Sequence, residues 1–200
     1  MGITMLLGVL RMPPHCLTTD TIDIEQRHSR YLEAADLIEV ETPNVTSADE
    51  VAAFVGIEAA LLIKTLLYRT VGGDADGEIV AGCVRGDDQL QEIKLAHAVG
   101  ADGVEMASDE EIKAVGGVTG FVGPKGLSCK VILDASLSGS LGLVAGANRK
   151  DLHLAGLDVG RDLEDITFAD LRETRAGDLC DRCGGVIELS RGIEVGHVFE

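Results

Sequence analysis

Tryptophan is absent from this chain of 200 residues, and the aromatic set stops at two Tyr and four Phe. A core of this composition has to be filled by Val, Leu, Ile and Ala, and the 25 glycines imply many tight turns. Lys and Arg total 17 against 34 Asp and Glu, so the net charge is −17. Such a chain repels a phosphate backbone on average, which excludes a broad electrostatic grip on nucleic acid. Any RNA contact must be local, around a few basic residues, or supplied by another domain. No apolar run approaches the roughly 18 residues of a membrane span. The apolar start, Met1 to Leu10, lacks the basic segment of a signal peptide, because Arg11 follows the run instead of preceding it. Five cysteines (Cys16, Cys83, Cys129, Cys180 and Cys183) are odd in number and mostly scattered. They form no disulfide framework and fit a reducing cytoplasm. Several catalytic signatures are missing too: no G-x-x-x-x-G-K-[ST] phosphate loop, no G-x-S-x-G elbow and no H-E-x-x-H zinc helix occurs.

Apolar residues make up 46% of the chain, enough for a folded core and too many for a disordered one. Residues 1–39 differ from the rest and read as a leader or connecting segment with little order. Within it, Thr21 to Val40 has a helical pattern, with Ile24, Tyr31, Leu32 and Ala35 near one face. The compact region begins at Val40-Glu41-Thr42-Pro43-Asn44. Ser47 and Glu50 have capping-box spacing for a helix through Val51, Ala52, Phe54 and Val55 that stops at Gly56. A short helix over Glu58 to Leu61 follows. Ile63 to Tyr68 and Glu78 to Val84 flank the glycine-rich loop 72–77, which predicts an antiparallel hairpin. Gln89 to Ala98 predicts a helix with Leu90, Ile93 and Leu95 inward. Ser108 to Glu111 opens another, ending at Gly116-Gly117. Lys130 to Asp134 and Leu152 to Leu154 read as strands, and Arg191 to Phe199 as strand-like. Helices alternating with strands, two of them joined by a hairpin, predict an α+β fold with a mixed sheet and helices around it.

Several residues invite a chemical reading, and each has a plainer alternative. Lys64 sits among Leu61, Leu62, Ile63, Leu66 and Leu67. A lysine there serves a ligand, or it snorkels from the wet face of its strand. The loop Gly120-Phe121-Val122-Gly123-Pro124 offers backbone N–H groups that can hold a carbonyl or oxyanion, or it is an ordinary turn. His153 and Asp134 suit proton transfer and orientation of a water, or are structural. Cys180-x-x-Cys183 is half a zinc site. Four ligands are required, no second C-x-x-C exists, and only His197 suggests itself nearby, so a simple turn is the reading and no metal or other cofactor is expected.

Taken in order, these segments resemble a known family. Glu41-Thr42-Pro43-Asn44, Lys64-Thr65-Leu66-Leu67-Tyr68, Arg85-Gly86-Asp87, Leu90 to Lys94, the GxxxP loop Gly120 to Pro124, Ala145-Gly146-Ala147-Asn148 and His153 follow the order of the insertion domain of bacterial prolyl-tRNA synthetases. Free-standing editing proteins of the YbaK type belong to the same family. The resemblance covers about Val40 to Asp178, with Gln91 standing where the family often has Asn. The tail, Cys180-x-x-Cys183-Gly184-Gly185 followed by Arg191-Gly192-Ile193-Glu194-Val195-Gly196-His197, resembles the return into a synthetase core.

The resemblance implies a curved mixed sheet or partial barrel flanked by helices. It also implies a deacylase that removes alanine from the acceptor end of tRNA(Pro), without a side-chain nucleophile and with a ribose hydroxyl helping to activate water. Lys64 would anchor the terminal adenosine or its phosphate, the loop from Gly120 to Pro124 would position the ester carbonyl, His153 would exclude proline, and Asp134 would support the site. Thr65, Arg85, Lys94 and Gly123 would contact the substrate. The expected layout is a leader over 1–39, an editing domain over 40–178 and a return segment over 179–200. The partners would be tRNA(Pro) and the remainder of a prolyl-tRNA synthetase, with no membrane involved. No class II synthetase motif precedes residue 40, so the chain is expected to be a fragment that does not ligate proline by itself.

Overall fold

The computed structural model describes residues 8–11, 36–180 and 183–191. Among them the strands are β1 (Gly8–Arg11), β2 (Ile38–Glu41), β3 (Leu62–Val71), β4 (Ile79–Arg85), β5 (Gly103–Met106), β6 (Lys130–Asp134), β7 (Leu143–Gly146), β8 (Leu152–Leu157), β9 (Ile166–Ala169) and β10 (Glu188–Arg191). The α-helices are α1 (Ala48–Val55), α2 (Glu92–Val99), α3 (Asp109–Ala114) and α4 (Val159–Asp162). The chain divides into two compact units. One joins residues 1–26 to 174–200, and the other is 27–173. In the first, β1 pairs antiparallel with β10, Gly8 opposite Arg191. The knuckle before β10 is closed by Gly184 N–H donating to Cys180 O and Cys180 N–H donating to Gly185 O.

The larger unit is an eight-stranded mixed sheet in the order β2-β8-β7-β3-β4-β6-β9, with β5 paired to the far end of β3. The pairs β2/β8, β7/β8, β3/β4 and β3/β5 are antiparallel; β3/β7, β4/β6 and β6/β9 are parallel. The sheet does not close on itself. The fold is therefore the expected α+β arrangement, a mixed sheet flanked by helices.

Local chemistry explains the helix starts. Ser47 accepts from Glu50 N–H while the Glu50 carboxylate accepts from Ser47 N–H, and Ser108 and Glu111 repeat the device at α3. Each satisfies two amide donors that the first helical turn leaves without partners. Gly56, at φ 76°, ends α1 in the left-handed region.

Alternation along the central strands places apolar side chains on both faces of the sheet. Ile63, Leu67, Ala81, Cys83 and Leu133 pack with Leu137, Leu143, Leu157 and Leu163 on one side. Tyr68, Val80, Val84 and Ile132 pack with Leu90, Leu95 and Leu171 on the other. Burying both faces of β4 requires its near-continuous apolar run, Ile79 to Val84.

Several expectations need correction or completion. The helix read over Thr21 to Val40 fails at its end, because Ile38–Glu41 is strand β2; residues 21–35 lie outside those described. The short helix over 58–61 is a 3-10 turn, Ala59–Leu61. Ile93 is 64% exposed, whereas Leu90 and Leu95 are buried as expected. Helix α2 begins at Glu92, capped by Gln91, so Ile93 lies in its first turn and points outward. Strands β5, β7 and β9 lie in segments that carry no clear strand pattern in the sequence. Of the strand-like tail Arg191 to Phe199, only Arg191 is described.

The contrast within α2 gives a stability test. Leu95→Ala should cost roughly 2–5 kcal/mol, as for other buried leucines. Ile93→Lys should stay within about 0.5 kcal/mol of the parent. Urea denaturation midpoints measure both, and similar losses for the two variants would contradict this placement of the helix.

Candidate active site

A cleft of about 290 Å³ opens between the start of α1, the first half of β3, the loop after α3 and the β7/β8 pair. Lys64, Thr65, Gly120, Val122, Gly146 and His153 line it, with Thr46, Ser47 and Val51 from the α1 side. Lys64, Thr65, Gly120 and His153 thus come together from three distant parts of the chain.

Lys64 lies on β3 opposite Val84. Strand alternation puts it on the same face as Leu62, Leu66 and Tyr68, so this is not the wet face of a surface strand. Its Nζ donates to the main-chain carbonyl of Asp88 at 2.5 Å and to Gln89 Oε1 at 3.4 Å. Thr65 is buried, and its hydroxyl accepts from the Cys83 thiol at 3.6 Å. Burial pushes the Cys83 thiol up to about 12, which keeps it protonated and removes it as a nucleophile at neutral pH. The Ser47 hydroxyl caps α1 by accepting from Glu50 N–H.

The loop from Gly120 to Pro124 lies against β7. A Cβ on Gly123 would stand 1.7 Å from the carbonyl oxygen of Gly146, and a Cβ on Gly146 would stand 2.4 Å from the carbonyls of Phe121 and Val122. Asn148, at φ 55°, moors the loop. Its backbone N–H donates to Phe121 O, its Oδ1 accepts from Gly123 N–H at 2.9 Å, and its Nδ2 donates to the carbonyls of Gly123 and Lys125. Gly123 N–H is therefore already engaged. Gly120 and Val122 line the cleft, and their amides have no acceptor among the described residues.

His153 is 5% exposed, on β8. Its Nδ1 lies 2.6 Å from the Thr42 hydroxyl, and its ring meets Phe121 edge-on at 5.8 Å. Desolvation lowers its pKa below 6.5, so the ring is neutral at pH 7. Thr42 is fully buried and donates its own N–H to Asp151 O, which ties the loop before α1 to the β7/β8 turn.

The other candidate residues do not line the cleft. Gly123 and Pro124, at the end of the loop, are buried. Asp134 is fully buried, and its carboxylate accepts from the backbone N–H groups of Ser136, Leu171 and Arg172 at 2.8–3.0 Å. Arg85 stands 3.9 Å from Asp87 at the end of β4. Lys94, on α2, pairs with Asp170 at 2.7 Å. Thr42, Gly146 and Asn148 also shape the site, through the bond to His153, the close approach to the loop and the mooring of the loop. The signal for Asn148 is its type, since Asn tolerates the left-handed backbone that a mooring turn needs. Among the described residues no group of three or more His, Cys, Asp or Glu is placed to hold a metal ion; His197 lies outside them. No helix among them is long and apolar enough to cross a membrane.

Comparison with known proteins gives this geometry its class. Residues 42–163 match the model of the aminoacyl-tRNA editing domain, so the chain belongs to that family. It is similar to the proline–tRNA ligase of Nitratidesulfovibrio vulgaris, 47% identical over 170 residues, which are 84% of this chain and 29% of the ligase. It is likewise similar to the proline–tRNA ligase of Geotalea daltonii, 46% identical over 181 residues, 88% of this chain and 31% of that one. The chain thus spans about three tenths of the length of these relatives. A solved structure proposed to be a trans-editing enzyme for prolyl tRNA synthetase superposes with a TM-score of 0.58 at 26% identity, covering 69% of this chain and 87% of its own. The domain is related to the insertion domain of prolyl-tRNA synthetases, as the motif order implied.

Two outcomes follow from the geometry. Gly123→Ala should cost about 1–3 kcal/mol by overpacking against Gly146; an unchanged denaturation midpoint would contradict the close contact. For His153, burial holds the folded pKa below 6.5, so on acidification the unfolded chain takes up this proton first. Its contribution is intact above pH 6.5 and is lost as pH falls toward the folded pKa. Between pH 7.5 and 5.5 the parent should lose more melting temperature than His153→Gln, and equal losses would count against a buried neutral ring.

Proposed function

We propose that the cleft hydrolyses the ester of mischarged aminoacyl-tRNA, with alanyl-tRNA(Pro) as substrate. The observation that carries this reading is the convergence of Lys64, the Gly120 to Pro124 loop and His153 on one cleft in a chain of the editing family. On this reading residues 40–178 form the editing domain. Residues 179–200 lead back toward the rest of a cytoplasmic prolyl-tRNA synthetase, whose other domains hold the tRNA. The net charge of −17 suits that division of labour, since only the acceptor end needs to enter.

Lys64 stands at the cleft as the cation for the terminal adenosine or its phosphate. The ester carbonyl points at the N–H groups of Gly120 and Val122, which face developing negative charge at little reorganisation cost. His153, neutral and fixed by Thr42 and Phe121, walls the aminoacyl pocket. A bound ribose hydroxyl helps activate the attacking water, in keeping with a protonated Cys83 and a Ser47 used as a helix cap. Exclusion of proline is steric. One methylene is worth only ~1–3 kcal/mol, so the rigid ring and its extra carbons must act together.

Purified chain should release alanine from alanyl-tRNA(Pro) and leave prolyl-tRNA(Pro) intact. Lys64→Ala should lower the rate on the order of 10- to 100-fold, the scale of a misplaced substrate. Full activity in that variant would remove Lys64 from the mechanism. Binding of the charged acceptor end without turnover would make the domain a tRNA-end binder instead.

A further inference from the structure

Asp88, Asp134 and Arg172 are the carboxylate and guanidinium side chains buried in the described residues, and all three belong to one network. Residues 170–173 run as a strap after β9. On one side the Asp134 carboxylate, at the end of β6, accepts from Leu171 N–H at 2.8 Å and Arg172 N–H at 3.0 Å. On the other side the strap is stitched to the segment between β4 and α2. Gln91 N–H donates to Leu171 O and Glu173 N–H donates to Gln89 O, both at 2.7 Å, with Leu90 bridged to Arg172. Lys94 reaches from α2 to Asp170 at 2.7 Å and to the Arg172 carbonyl at 3.0 Å. The Arg172 guanidinium lies 4.0 Å from the Asp88 carboxylate, with both side chains 6% exposed. The carbonyl of that same Asp88 takes the bond from Lys64 Nζ, and the next residue, Gln89, supplies the second acceptor.

Buried charges are costly to desolvate and are kept where they fix an arrangement. Lysine has a flexible stem of four carbons, and its ammonium is a point charge whose position has to be imposed from outside. We infer that Arg172, held by Asp134 and Lys94, is a positioning residue: it locks Asp88 so that the Asp88 carbonyl and Gln89 amide hold the Lys64 ammonium at the cleft. This gives a use to Asp134 and Lys94, which the fold keeps out of the cleft, and assigns to the reaction a residue, Arg172, that touches no substrate. The role in catalysis rests on the editing reading; the positioning of Lys64 does not.

The test has two arms on the full chain. In the first, lysines are labelled with limiting acetic anhydride, and the Lys64 peptide is measured by mass spectrometry against exposed Lys113 in the same sample. Arg172→Lys should raise the Lys64 to Lys113 ratio by releasing Nζ, and an unchanged ratio overturns the inference whatever the chain's activity. Asp88→Asn, which spares the main-chain bonds of the strap, should raise it too and serves if Arg172→Lys does not fold. In the second arm, deacylation of alanyl-tRNA(Pro) is followed in a double-mutant cycle. Arg172→Lys should lower kcat/KM about 10- to 100-fold in the parent and cause no further loss in Lys64→Ala. A further loss of the same size in the Lys64→Ala background overturns action through Lys64. Absence of alanine release by the parent chain would instead refute the editing reading, leaving the labelling ratio to decide the strap.

Discussion

Where β7 passes beneath the loop that follows α3, two stretches of backbone come closer than any side chain permits. Gly123 and Gly146 lie there; a Cβ on Gly123 would enter the main chain of Gly146, and a Cβ on Gly146 would meet the carbonyls of Phe121 and Val122. The candidate site depends on this contact. It sets the height of the loop above the sheet, and Asn148, two residues beyond Gly146, fixes the loop's lateral position through its side-chain bonds. With the loop so placed, Gly120 and Val122 border the cleft and Phe121 packs its ring against His153. A side chain at either glycine would lift the loop and loosen the imidazole.

The site is assembled from parts of unequal rigidity. His153 and Thr42 are buried and bonded to each other, and the loop amides are fixed by their mooring. Lys64 alone has a long flexible stem, and it is the residue whose head group is tied down from a separate layer of the structure. The buried carboxylates and guanidinium, costly to desolvate, belong to the network around Asp88, whose carbonyl takes the bond from Lys64. A domain with few cations can work this way, because the position of a single ammonium substitutes for the broad positive surface that its composition excludes.

Much of this order is legible in the sequence, for physical reasons that can be named. Ser47 with Glu50 and Ser108 with Glu111 mark helix starts because capping is local chemistry. The β3/β4 hairpin is legible because alternating apolar residues flank a glycine-rich loop. What escapes reading is set by distant partners. Ile38 to Glu41 is too short to announce itself, and it is a strand because β8 offers an edge. Ile93 reads as core by spacing, yet the capping of α2 by Gln91 rotates it outward. At the site, Lys64, the glycine loop and His153 are each ambiguous singly and gain meaning from their order. Asp88 and Arg172, by contrast, sit in charged stretches that look like solvated surface, and nothing local reveals that they are buried against each other.

The central claim is that the cleft receives an aminoacyl ester with its carbonyl toward the amides of Gly120 and Val122. A crystal structure with an amide-linked, non-hydrolysable analogue of 3′-alanyl-adenosine tests it most directly. The account predicts the alanyl carbonyl oxygen about 3 Å from one or both amide nitrogens, the alanine methyl toward His153 and the adenosine side toward Lys64. An analogue bound outside the cleft, or within it with the carbonyl turned away from the loop, would contradict the account.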